Sequence, residues 1–295
     1  MAESNVYIDV KPSEQLHPGT DQVICFSGIA FGSLTESIPS KLKDYKATKT
    51  SLKGFFADEL FKAIETGDLK LYARSFIGNM NGTLANWSIE TWNQVVSKLD
   101  VNVEESKSGK YFEYEGERFN LPLAMGLAAY TNILVNMGLD FGNIATVSNS
   151  KIDKLNFCLD NVPGASKAGM GLMEQISKLN PDLVQLWKEN MADGMKFQIA
   201  NLGKWMDVDG KWKHVRYNPT LKLVDWIAAS CLANYYPGQI LEESKNITKS
   251  DLKSIQSIWN ILEERKLARA ILLDDPKFIT LIKEHEAKKS SEKRD

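Results

Sequence analysis

The sequence predicts a mainly α protein: a two-lobed helical body with one or two short β-hairpins, an extended N-terminal arm, and a C-terminal helix with a charged tail. Three observations predict it. In the second half of the 295 residues, apolar side chains recur at spacings of three and four, as in Leu252, Ile255, Ile258, Trp259 and Leu262. The segment "NLPLAMGLAAYTNILVNMG" is apolar nearly all round, as suits a helix in the middle of a core. The first 40 residues differ from the rest, with Pro12, Pro18, Pro39 and several glycines, and read as an arm lying on something.

The elements follow in chain order. Residues 1–40 form the arm, where "VYIDV" and "QVICFSG" can pair as short strands and Glu3, Asp9, Glu14, Asp21 and Glu36 outnumber Lys11. Residues 41–142 form an N-terminal helical lobe. Leu52, Phe55, Phe56, Leu60, Phe61 and Ile64 make a helical stripe stopped by Gly67. A second helix covers "WSIETWNQVVSKL", with Trp92, Val95, Val96 and Leu99 on one face. "KYFEYEGERFNLP" alternates about Glu-Gly, setting Phe112 and Tyr114 against Phe119 and Leu121 in a hairpin. Pro122 suits the first turn of the apolar helix and Gly138 its end. "LDFGNIATVSNS" is the lobe boundary.

Residues 143–275 form the C-terminal helical lobe. Asn180-Pro181, Asn218-Pro219 and Asp275-Pro276 each place a capping side chain before a proline at a helix start. Thr248 and Asp251 have the spacing of a capping box. Residues 276–295 form a last helix and a solvated charged tail.

Bulk properties narrow the function. The net charge of −2 provides no global attraction to nucleic acid or anionic membrane, so any such site is a local patch. No apolar run reaches the length of a membrane span, and the N-terminus lacks a signal-type apolar region. A cytoplasmic, non-secreted protein is expected. Cys25, Cys158 and Cys231 sit among apolar neighbours without a CxxC pair and read as buried free thiols.

Catalytic signatures fail on inspection. "PGASKAGMG" has two glycines at phosphate-loop spacing but lacks the Lys-Ser/Thr that must follow. "DVDG" places its glycine too early for a calcium loop. Asp274 and Asp275 lack a second acidic partner, and Asp275 serves as a helix cap. His17, His214 and His285 are scattered, so no metal and no cofactor is expected. The chain is not expected to be an enzyme, although carboxylates converging in space remain a third alternative.

Two segments break the near-neutral background. One runs through Lys41, Lys43, Lys46, Lys49 and Lys53, with Tyr45 among them. The other is "KWMDVDGKWKHVRYNP", with Lys211, Lys213 and Arg216 beside Trp205, Trp212 and Tyr217. Lysines attract phosphate, and aromatic faces stack on unpaired bases. A hairpin turning at Asp209-Gly210 would set tryptophans on one face, packed on helices, and lysines on the other.

The arm, the two helical lobes and the charged tail together resemble the α-helical nucleocapsid and coat proteins of RNA viruses. That resemblance covers the whole chain as a layout. It implies a self-associating protein, carried in the virion, that encapsidates single-stranded RNA without sequence preference. Lys41, Lys43, Lys46, Lys49, Lys53, Arg74, Lys211, Lys213 and Arg216 would contact phosphates, and Tyr45, Trp212 and Tyr217 would stack. Tyr7, Ile8, Val10, Val23, Ile24 and Phe26 in the arm, with Phe278, Leu281 and Ile282 in the tail, would tie subunits together. The alternative is a helical adaptor that binds other proteins.

Overall fold

The structure is a computed structural model. It describes residues 3–11, 19–31, 71–99, 103–106, 109–147, 154–159, 167–179, 195–199, 204–206, 212–214, 219–243 and 248–277, with positions 62, 65, 66, 279, 280, 283 and 284.

The mainly helical expectation does not hold. A six-stranded mixed sheet lies between two layers of helices. Its strands are β1 (Glu3–Lys11), β2 (Val23–Phe31), β3 (Leu71–Asn79), β7 (Lys154–Leu159), β8 (Met195–Ile199) and β11 (Ala268–Leu272). The order across the sheet is β11-β3-β2-β1-β7-β8. β2 runs against both its neighbours, while β1 with β7, β7 with β8, and β3 with β11 pair in parallel.

The expected arm is therefore the middle of the sheet. β1 is paired on both sides, antiparallel to β2 and parallel to β7. The sheet also crosses the expected boundaries at residues 40 and 142, drawing strands from either side of both.

The side-chain period of two fixes which helices cover which face. Val6, Ile8, Ile24, Phe26, Phe76 and Phe157 point to one side. There they meet α1 (Thr83–Lys98), α2 (Leu121–Val147) and α3 (Lys167–Ser177) through Trp92, Tyr130, Met137, Phe141 and Leu172. Tyr7, Cys25, Ile29, Leu71, Ala73, Ile77 and Cys158 point to the other side. They meet α4 (Pro219–Tyr235), α5 (Pro237–Glu243) and α6 (Lys249–Glu264) through Leu223, Ile227, Ile240, Ile258 and Trp259. A strand covered on both faces is apolar in both registers, and "VICFSGIAF" is such a run.

α2 is buried as its composition predicts, but it continues through Gly138 to Val147. It crosses the sheet at Gly28, where an added Cβ would stand 2.3 Å from Met137 Sδ and 2.8 Å from Ile8 Cδ1. α1 buries Trp92 and Val95 and leaves Val96 exposed. α6 begins with a complete capping box, in which Thr248 Oγ1 accepts from Asp251 N and Asp251 Oδ2 accepts from Thr248 N.

Three further strands, β4 (Val103–Ser106), β5 (Gly109–Tyr114) and β6 (Glu117–Asn120), form a separate antiparallel sheet. Phe112 pairs across with Phe119, and the rings stack at 5.0 Å. Trp92 meets Phe112 edge-on at 4.9 Å and docks this sheet on α1. Glu115 and Gly116, both at positive φ, make the two-residue turn.

The second hairpin pairs β9 (Lys204–Met206) with β10 (Trp212–His214). Its register sets Trp212 opposite Met206 and Lys213 opposite Trp205. A turn at Asp209-Gly210 alone would shift this by one residue, and a one-residue shift exchanges the faces of a strand. The backbone register therefore differs from the one that a turn at Asp209-Gly210 predicts.

Candidate functional site

The sheet order dictates where to look for a site. From β1 the chain passes to β2 on one side, while the parallel partner β7 joins on the other. In open α/β sheets a crevice forms at the carboxyl ends of the strands where the order reverses in this way. Here that place is the end of β1, where Ile8 pairs with Leu159, the last residue of β7. Asp160 follows Leu159 in the sequence and lies outside the described residues.

Two buried carboxylates lie on the strand and the helix that meet there. Asp9 lies near the end of β1 and is only 7% exposed. It alternates with Ile8 and Val10, so it shares the face of Tyr7 and Lys11, toward α4. Asp225 stands in the second turn of α4 between Val224 and Trp226, and is also 7% exposed. Lys11, two residues after Asp9 on the same face, forms an ion pair with Asp225 and joins the strand to the helix.

A polar row extends from Asp9 across the sheet beneath α4. Asp9 is the cross-strand partner of Ser27, and Ser27 of Ser75. Both serines are fully buried, and their hydroxyl oxygens are 2.6 Å apart. Cys25 Sγ lies 3.5 Å from Ser27 Oγ.

The surroundings are dry. Burial pushes the Tyr7 hydroxyl up to about 12, with Cys158 adding to the effect. Burial alone pushes the Cys158 thiol up to about 11. Cys231 on α4 is likewise held well above the usual thiol range, first by burial and then by the neighbouring Cys25. All three cysteines are free and buried, which fits thiols built into the core. Carboxylates in such a place are costly unless a cation answers them.

The residues expected at an RNA site are placed differently. Arg74 is not a surface phosphate contact. It lies in β3 on the opposite face from Asp9, 8% exposed, with Nε 2.7 Å from Asp140 Oδ2 of α2. It is buried because the sheet runs through this segment, and the buried guanidinium takes its counter-charge from α2. Lys41, Lys43, Tyr45, Lys46, Lys49, Lys53, Lys211, Arg216 and Tyr217 lie outside the described residues. Trp212 and Lys213 are described only as backbone of β10.

The expected subunit ties in the arm are corrected too. Ile8, Ile24 and Phe26 are fully buried, Tyr7 is 9% exposed, and Val10 and Val23 are half-buried against the same two cores. These side chains are used within the chain's own sheet and are not free to dock on a neighbour. Phe278, Leu281 and Ile282 lie outside the described residues.

Sequence reasoning passed over Asp9 and Asp225. The signal was present, because each is a lone acid inside an apolar run, "VYIDV" and "LKLVDWIAA". A carboxylate that such a run carries into a core has to be answered there.

Among the described residues, no three His, Cys, Asp or Glu side chains converge as a complete metal cage. No helix among them is long and apolar enough to cross a membrane. In comparison with known proteins, the chain matches no protein-family model and no curated sequence.

Proposed function

We propose that this protein hydrolyses phosphodiester bonds in single-stranded nucleic acid, with a divalent cation held between Asp9 and Asp225. One observation carries the reading: Asp9 on β1 and Asp225 on α4 are each buried, and Lys11, two residues after Asp9, pairs with Asp225 at the carboxyl end of β1, where the strand order reverses. Magnesium is commonly bound by one or two carboxylates, with waters and substrate phosphate completing its shell. A two-carboxylate site is therefore sufficient once substrate supplies oxygens. The cation would polarise the phosphoryl group and lower the pKa of a bound water. In hydrolysis a water oxygen would join phosphorus as the bond to the departing sugar oxygen breaks. The water gives up a proton to solvent, and the departing oxygen takes one up.

The basic and aromatic segments at Lys41–Lys53 and Lys204–Tyr217 support a nucleic-acid strand as the substrate. In the test, purified protein is incubated with end-labelled single-stranded RNA and DNA, with magnesium or manganese, and then with a chelator. Cleavage that depends on the cation supports the reading. An intact strand under every condition contradicts it.

A second reading rests on the same two segments. The protein would hold single-stranded RNA and package it without cutting, self-associating through Phe278, Leu281 and Ile282. The mainly helical layout behind the resemblance to nucleocapsid proteins is not the fold, so this reading now stands on the basic segments alone. Co-purification of RNA in large, salt-sensitive assemblies, with no cleavage, would favour it.

A further inference from the structure

We draw no further inference here: the strongest candidate, the buried side-chain cluster of Cys25, Ser27, Ser75 and Cys231 where α4 packs on β2 and β3, is closed on itself, its hydroxyls and thiols answering one another while burial keeps the Cys231 thiol protonated, and nothing in the structure shows a ligand or oxidant that reaches it.

Discussion

Arg74 on β3 and Asp140 on α2 are in charge contact, with Nε 2.7 Å from Oδ2, and they tie the sheet to the longest of the described helices. The approach is close but not in line for a hydrogen bond. A guanidinium N–H of Arg74 instead donates to the Ala73 carbonyl, and more weakly to that of Leu267. Burial pushes the guanidinium pKa below its ordinary value, and Asp140 opposes the shift without cancelling it.

Removing one partner leaves the other charge unanswered. Arg74→Met is expected to cost about 2–3 kcal/mol in urea unfolding, toward the low end for buried pairs because Asp140 keeps some contact with water. Arg74→Met with Asp140→Leu should recover most of that loss. A double variant as unstable as the single one would show that Arg74 acts through its backbone contacts instead.

Asp274 holds the start of α1. Its Oδ1 accepts from Thr83 N at 2.8 Å and its Oδ2 from Asn79 N at 2.6 Å, while Thr83 Oγ1 donates to Leu273 O. The preceding Gly82 leaves room for it, since a Cβ there would stand 2.3 Å from Asp274 Oδ1. Asp274→Ala leaves two backbone donors unmet and is expected to cost about 2 kcal/mol. Asp275→Ala, which loses the contact to Lys277 N in an exposed turn, should cost less. Equal losses in chemical denaturation would contradict this assignment.

The chain should weaken in alkali. Tyr7 and Cys158 hold their protons more tightly folded than unfolded, at about 12 against 10.0 and about 11 against 9.0. The folded state therefore binds more protons than the unfolded state from about pH 9 to about pH 12, and stability falls as pH rises through that window. Below it these two groups contribute no pH dependence. Melting temperatures across that range should drop, and Tyr7→Phe with Cys158→Ala should flatten the drop. An unchanged slope in the double variant would assign the effect to other groups.

What the sequence revealed was local structure. The Phe112–Phe119 hairpin, the buried helix α2, the capping box at Thr248 and the helix start at Pro219 are all read from neighbouring residues, and each is present. Of the six-stranded sheet only the pairing of "VYIDV" with "QVICFSG" was legible, and it is present as β1 against β2; the other pairings are not local. β1 joins β7 across more than a hundred residues, and β3 joins β11 across nearly two hundred. The segment "LYARSFIGN" carries Arg74 in its middle, and a charge there hides a strand unless Asp140 is known to answer it. Prolines at 12 and 18 suggested an arm, yet they fall between β1 and β2, in the connection where a sheet tolerates them. The site was missed for the same reason. Asp9 and Asp225 are 216 positions apart in sequence, on elements that only the packing of α4 on β1 brings into contact.

The central claim is that Asp9 and Asp225 act together on a phosphodiester. The most direct test is the magnesium-dependent rate of single-strand cleavage by wild type, Asp9→Asn, Asp225→Asn and the double variant, all confirmed as folded. The account predicts that each single variant loses about 100-fold or more, a barrier rise of about 2.7 kcal/mol, and that the double variant loses little beyond that. Wild-type rates in the folded single variants would contradict it.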